Sequence, residues 1–519
     1  MFHPRRTIRA LLLPLLAGLA LTALPAPSAQ AASTLTNGGF ESDGAGAAVP
    51  AGWSEYGTTA ASFSEAGGHS GGYRLSHWSS SAYKVETYQY LSGLTNGTYT
   101  LTAWVRSSGG QNAAYLSLKN CGSAEQRTDL PVSTSEWVRV VTSVAVTNNQ
   151  CTISVNSDAN AGNWINVDDL TLTSGSTGLA IKGADISSLA KSEALGGVYR
   201  SASGTTGDAV TLLKNAGMNY ARLKVWVNPA DGWNNKTRVL AMAKRVKAAG
   251  MKLLVDFHYS DTWADPGKQT KPAAWSGHGY SQLKTDVYNH TYDVLNALKA
   301  QGTTADMVQV GNEINGGMLW SEGSTDNWSQ LAGLINSGYS AVKAVSSGTK
   351  VALHLANAGD DGTVRWWFDN ARTYGINYDV IGLSYYGYWH GSLAAAQATL
   401  DDTAARYGKP VFIAETAYPF RLDSEDALTN QIDTTGELVG GYPATTAGQL
   451  AWMNAVANIV EAVPNGRGLG VFYWEATWTA VSGNGWDPAD ATSGNGWENQ
   501  ALFGYDDRAL PATAWFSHR

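Results

Sequence analysis

Between Leu179 and the C-terminus, eight apolar runs recur with helical stretches between them. They are LAIKGADI (179–186), YARLKVWVNP (220–229), KLLVDFHYSD (252–261), MVQVGNEI (307–314), KVALHLAN (350–357), YDVIGLSYY (378–386), PVFIAETAY (410–418) and LGVFYWEAT (469–477). Amphipathic segments such as KTRVLAMAKRVKAAG (236–250) and GQLAWMNAVANIVEAV (448–463) separate them. Regular alternation of buried strand and helix dictates a parallel sheet, and eight units predict a (β/α)8 barrel over residues 179–519. A doubly wound open sheet is the structural alternative. It would carry a glycine-rich phosphate loop after its first strand, and IKGADISSLAKS is not one.

Nearly every run closes on polar or aromatic residues. In chain order these are Asp185; Arg222 and Trp226; His258, Asp261 and Trp263; Asn312 and Glu313; His354 and Asn357; Tyr385 and Tyr386; Glu415; and Trp474 and Glu475. In a barrel of this kind the strand ends converge on one rim, where active sites lie. A carboxylate closing a buried run must be solvated, paired or used. Glu313 and Glu415 end the fourth and seventh strands, so they can face each other across the mouth. Two acids flanking a glycosidic bond are the minimum for its hydrolysis, one protonated and one ionised. A separation of about 5–5.5 Å gives retention and about 6.5–9.5 Å inversion, a distance that sequence does not measure. The alternative for each glutamate alone is a capping or salt-bridging acid.

The chain opens on MFHPRRTIRALLLPLLAGLALTALPAPSAQAAS, with Arg5, Arg6 and Arg9 before an apolar segment from Leu11 to Leu24. That segment is short for a membrane span, and AQA at 29–31 offers small residues for cleavage, so residues 1–32 are expected to be a signal peptide of a secreted, extracellular protein. Its removal takes away three arginines and no acid, leaving the mature chain more acidic than the formal −8 of the full sequence. An acidic surface argues against nucleic acid and anionic membranes as partners. The chain holds 20 Trp and 24 Tyr with only 15% charged residues, and several of these aromatics sit beside Gly, Asn and Asp in expected loops. Exposed rings beside polar groups suit sugars: the ring covers the C–H face while amides and carboxylates take the hydroxyls.

Residues 33–173 follow another pattern, rich in Gly, Ser, Thr and Asn. TYTLTAWVRS (98–107), AAYLSLKN (113–120), EWVRVVTSVAV (136–146), CTISVNS (151–157) and NWINVDDLTLT (163–173) alternate apolar with polar residues. They predict an antiparallel, jelly-roll-like β-sandwich, joined to the barrel by a short flexible linker at 174–178. The two cysteines, Cys121 and Cys151, are expected to form a disulfide in an oxidising compartment; two free buried thiols are the alternative.

GNE on the fourth strand and AET on the seventh resemble the clan of retaining (β/α)8 glycosidases. GADISSLAKSEALGGVYR, DFHYSDTWADPGKQTKPAAW, QVGNEINGGMLW and GVFYWEATW look like the family-53 endo-β-1,4-galactanases, a resemblance running from about Leu179 to the C-terminus. It implies endo-cleavage of β-1,4-galactan in pectic arabinogalactan with retention, no organic cofactor, and an open, curved groove. By motif, Glu313 would be acid/base and Glu415 nucleophile. Asn312 would hold a sugar 2-hydroxyl, and Arg222, His258, Asp261 and Tyr385 would support the reacting sugar's site. Trp474 would be its platform, with Trp263, Trp320 and Trp389 as walls. The chain is expected to act as a monomer.

LSHWSSSAYKVETYQ and GTYTLTAWVRSSGGQNAAYL are similar to family-61 galactan-binding modules. Trp78, Tyr83 and Trp104 would then contact sugar, with Gln111 and Asn120 as polar partners. Related modules suggest a calcium ion between Glu41 and Asp168. Bacterial galactanases suggest a second in the barrel loops, where Asp426, Asn430 and Glu498 are candidates, although Leu428 stands where a His would be expected. The rivals are another clan enzyme, such as a mannanase or β-glucanase, and a non-catalytic sugar-binding barrel.

Overall fold

The structure, a computed structural model, describes residues 34–518; the expected signal peptide lies outside the described residues. Ten strands build the N-terminal part: β1 (Ser54–Gly57), β2 (Ser62–Ala66), β3 (Tyr73–Trp78), β4 (Tyr83–Ser92), β5 (Gly97–Ser107), β6 (Ala113–Lys119), β7 (Gln126–Asp129), β8 (Ser133–Val146), β9 (Gln150–Ala159) and β10 (Trp164–Ser174). They form two antiparallel five-stranded sheets, β1-β4-β9-β6-β7 and β2-β3-β10-β5-β8. Alternation puts Leu101, Ala103 and Val105 of β5 and Leu116 and Leu118 of β6 in the shared apolar core. Cys121 and Cys151 are joined in a disulfide.

Eight parallel strands then close a barrel in sequence order: β11 (Ile181–Asp185), β12 (Tyr220–Val225), β13 (Lys252–Phe257), β14 (Met307–Val310), β15 (Lys350–Leu355), β16 (Val380–Ser384), β17 (Val411–Thr416) and β18 (Gly468–Tyr473). The connecting helices are capped by short polar side chains. Asp208, Asn235, Ser392 and Thr445 each accept a hydrogen bond from the first turn of the helix that follows, an arrangement worth about 1 kcal/mol apiece.

The barrel interior is layered. Tyr220, Leu254, Met307, Ala352, Phe412 and Phe472 pack together in an apolar floor. Gly183 makes room there: a Cβ on it would lie 2.4 Å from the Phe472 ring. Two residues further along each strand, on the same face by the period of two, come Arg222, Asp256, Gln309 and His354. A polar layer thus sits directly on the apolar one, towards the carboxyl ends.

The two parts share a hydrogen-bonded junction. Arg139 of β8 bonds Asp401 at 2.8 and 2.9 Å and the Ala462 carbonyl at 2.6 Å, while the Gln397 amide clasps the Arg139 backbone at 2.7 and 2.8 Å. The expected flexible linker is instead pinned. Gly175 N–H donates to Thr98 O, and the Thr177 hydroxyl donates to Glu461 at 2.8 Å. Its short polar side chains find partners on both sides, so Gly and Ser content alone misjudged it.

Candidate active site

Each barrel strand ends earlier than its apolar run suggested, and the chemistry starts where the strand stops. β14 ends at Val310, and the chain then turns through Gly311 (φ 91°) and Glu313 (φ 46°). A left-handed glutamate is strained, and such strain concentrates where geometry serves function. On β17 a bulge does the aiming. Leu383 pairs with Ile413 but Ser384 pairs with Glu415, so one extra residue turns both Ala414 and Glu415 inward.

The two glutamates line one cavity of about 370 Å³ at the barrel mouth, together with Arg222, Lys224, His258 and Asn312. Its walls are aromatic: Trp263, Tyr386, Trp389, Trp474, Trp486 and Trp497. Trp263 stacks on Trp486 at 4.8 Å and 11°, and Trp474 meets Trp497 edge-on at 4.6 Å. Such a pocket offers ring faces to C–H groups and a charged floor to hydroxyls.

Arg222, 1% exposed, organises the floor. Its Nη1 donates to Asp185 at 2.9 Å, its Nε to Gln309 at 2.9 Å, and its Nη2 lies 2.9 Å from Asp256, 2.7 Å from Asn312 Oδ1 and 2.8 Å from Glu415 Oε1. A planar five-donor fork is suited to this many anionic partners at once. Asp256 is held below its usual range: burial raises it, but Arg222 and His258 outweigh that. His258 Nδ1 faces two donors, Trp226 Nε1 at 3.2 Å and Ala264 N–H at 3.1 Å, so its Nε2–H donates to Asp256 at 3.0 Å. Burial keeps His258 neutral.

The two catalytic candidates have different company. Glu415 receives Arg222 on one oxygen and the Tyr386 hydroxyl on the other at 3.0 Å. Glu313 receives the Ser384 hydroxyl at 2.6 Å. Burial pushes Glu313 up to about 7. Burial and the Glu313 charge also raise Glu415, against the pull of Arg222. The pair titrates as a unit, and the guanidinium and phenol in direct contact with Glu415 leave the shared proton on Glu313.

The structure gathers Arg222, His258, Trp263, Asn312, Glu313, Trp389, Glu415 and Trp474 around this cavity. Three residues expected there are elsewhere. Tyr385 is fully buried and donates to Gly391 O, so the tyrosine on Glu415 is its neighbour Tyr386. Asp261 accepts Asn228 and Ala273 N–H groups at 2.8 Å each and ties loops together. Trp320 does not line the cavity and donates its indole N–H to Gly316 O. Sequence reasoning gave no role to Lys224, Trp486 and Trp497. Lys224, 2.5 Å from Glu475 and 3.9 Å from the Trp263 ring centre, follows Arg222 by two residues and was accessible from the strand period. Trp486 and Trp497 come from glycine-rich loops whose path the sequence does not specify.

In the sandwich, three of the five expected sugar contacts meet one segment: Trp78 pairs with Trp164, the Tyr83 hydroxyl reaches Asn163 O, and the Gln111 amide reaches Trp164 O. Trp78 is 45% exposed, but Tyr83 is buried, its hydroxyl 3.0 Å from His77 O. Trp104 stacks on His69 at 3.9 Å and lies under Arg139 at the domain junction. Gln111 donates to Trp164 O, and Asn120 sits in a left-handed turn (φ 57°).

Among the described residues, no group of three or more His, Cys, Asp and Glu side chains has a metal-holding geometry. Glu41 accepts Gly72 and Tyr73 N–H groups, and Asp168 accepts those of His69, Ser70 and Asp169, so both staple one loop with oxygens already engaged. Neither carboxylate leaves an oxygen without a hydrogen-bond partner. In the barrel loops Glu498 Oε2 and Asn430 Oδ1 are buried without partners, and Asp426 lies close by, its backbone N–H donating to Glu498 Oε1 while its own oxygens accept the Leu428 and Asn495 N–H groups. Unpartnered oxygens of this kind fit a hard cation such as calcium.

Cutting a glycosidic bond requires a proton donor and an anion on either side of the anomeric carbon. A (β/α)8 barrel with Glu313 and Glu415 so arranged is a glycoside hydrolase. The chain belongs to Glycosyl hydrolase family 53, whose model matches residues 181–516. It is 36% identical over 374 residues to the endo-β-1,4-galactanase of Bacillus subtilis (65% of this chain, 85% of that one). It is 37% identical over 322 residues to the arabinogalactan endo-β-1,4-galactanase of Thermothelomyces thermophilus (60% and 94%). Among solved structures, the Ignisphaera aggregans family-53 catalytic domain superposes with a TM-score of 0.62 at 39% identity, covering 65% of this chain and 95% of that one. A fungal β-1,4-galactanase superposes at 0.58 with 34% identity, covering 65% and 99%.

Proposed function

We propose that this chain is an endo-β-1,4-galactanase that cleaves (arabino)galactan with net retention. The observation that carries it is the pair Glu313 and Glu415 on one aromatic-walled cavity, with Arg222 fixing the second. Protonated Glu313 gives its proton to the departing glycosidic oxygen as Glu415 attacks the anomeric carbon, forming a glycosyl-enzyme. Glu313, now ionised, takes a proton from water, which attacks the same carbon and releases Glu415. Asn312 Oδ1 is engaged by Arg222 and its Nδ2 by Ala264 O, which orients its amide at the cavity wall. Family membership and the galactanase relatives support galactan as substrate.

Reducing-sugar release from galactan, mannan and β-glucan tests the substrate; mannan or glucan as the better substrate would overturn it. Proton NMR of the first product tests the stereochemistry, which for retention is the β-anomer.

The wider reading has three further parts. The basic and apolar start of the chain and the Cys121–Cys151 bond support export to an oxidising compartment. The sandwich serves as a galactan-binding module on a monomeric enzyme. A calcium ion, where bound, is held by Glu498, Asn430 and Asp426, and its role is to tie the loops together.

A further inference from the structure

The sandwich has one large concavity, about 580 Å³, on the outer face of the β1-β4-β9-β6-β7 sheet. The register builds it. Tyr56 pairs with Glu86, Glu86 with Asn156, and Asn156 with Tyr115, so these four side chains form a row across four strands on one face. Tyr56 is 74% exposed and the Arg127 guanidinium sits 4.5 Å from the Tyr115 ring centre.

Its charges are matched. Lys84 pairs with Asp158 at 3.2 Å, Lys119 with Glu86, and Arg127 with Glu125 at 2.7 Å. Three bases and three acids leave no net charge, which suits a neutral ligand and penalises a polyanion. Paired charges still offer donors and acceptors for hydroxyl groups. On the second sheet, Arg139 of β8 and the neighbouring Trp104 lie at the barrel junction, while the exposed Trp78 pairs with Trp164 beside Arg106 and forms the rival surface.

We propose that this groove binds a neutral β-linked galactan segment, with Tyr56 as stacking platform and Glu86, Asn156 and Arg127 as hydroxyl partners. This rests on the reading of the sandwich as a galactan-binding module and replaces Trp78, Tyr83 and Trp104 with another surface.

The test uses the full-length chain carrying Glu415→Gln, so that ligand is not cut, titrated calorimetrically with galactotetraose. The expected isotherm has a cleft site and a second, independent site. Tyr56→Ala weakens the second by about tenfold or more, Glu86→Gln weakens it without removing side-chain volume, and Trp78→Ala leaves it unchanged. If Trp78→Ala abolishes the second site and Tyr56→Ala does not, the groove is overturned and the module reading stands. If the chain shows the cleft site alone, both are overturned. Binding of polygalacturonate that Tyr56→Ala removes would overturn the neutral-ligand assignment.

Discussion

Arg222 Nη2 lies 2.8 Å from Glu415 Oε1 while the arginine is 1% exposed, so Glu415, the proposed nucleophile, and the floor of the site are one electrostatic unit. The same guanidinium holds Asp185 and Asp256. Arg222→Lys keeps the charge but loses the fork. It should lower kcat/KM on galactan by about 10²-fold or more, and Arg222→Met should also destabilise the fold by about 3–5 kcal/mol, because buried carboxylates lose their partner. Steady-state kinetics and denaturant unfolding separate the two effects; a fully active Arg222→Lys would show that the fork is dispensable.

Glu313→Gln and Glu415→Gln should fail differently. Without Glu415 no glycosyl-enzyme forms, and every substrate loses turnover. Without Glu313 the loss on galactan should be about 10²–10⁴-fold, while an aryl galactoside with a good leaving group is partly spared. The comparison is a pair of kcat/KM ratios. Near-full activity of Glu313→Gln on polymeric galactan would remove Glu313 from the acid/base role.

The pH profile should carry the mark of Glu313. Burial holds it near 7, so the proton donor is present below that pH and lost above it, and kcat/KM on galactan should fall on the alkaline side. Ser384 donates to Glu313 at 2.6 Å and favours its ionised form, so Ser384→Ala should move the alkaline limb to higher pH. His354 Nε2 meets Ser384 at 2.8 Å, and its Nδ1 faces both a donor, Gln309 Nε2, and an acceptor, Asn312 Oδ1. Either tautomer therefore has a partner. A limb that moves to lower pH would mean that Ser384 accepts from the protonated acid instead.

The barrel was legible because eight buried runs and their spacing admit few other folds, and Glu313 and Glu415 were legible because acids at such ends demand a reason. Adjacent residues with opposite facings were not. Tyr385 and Tyr386 differ only in which side of β16's end they leave by, and the β17 bulge that aims Glu415 has no sequence signature. Facings in the sandwich are set in the same way. Aromatic content marks Trp104 and Tyr56 alike, but only strand pairing shows that one meets the barrel junction and the other solvent.

Calcium removal should act on the barrel loops and not on the sandwich. Glu498 Oε2 and Asn430 Oδ1 are buried without partners, whereas the oxygens of Glu41 and Asp168 already hold backbone N–H groups. A cation bound to the native state stabilises by linkage, so EGTA should lower the melting temperature and excess calcium should restore it. Glu498→Gln should make the melt insensitive to EGTA; Glu41→Gln should lower stability through the lost loop contacts yet leave the EGTA shift in place. Scanning calorimetry of the full chain, with and without each substitution, reads both effects. An EGTA shift that survives in Glu498→Gln and vanishes in Glu41→Gln would move the site to the sandwich, and a melt indifferent to EGTA in the unaltered chain would remove calcium from both.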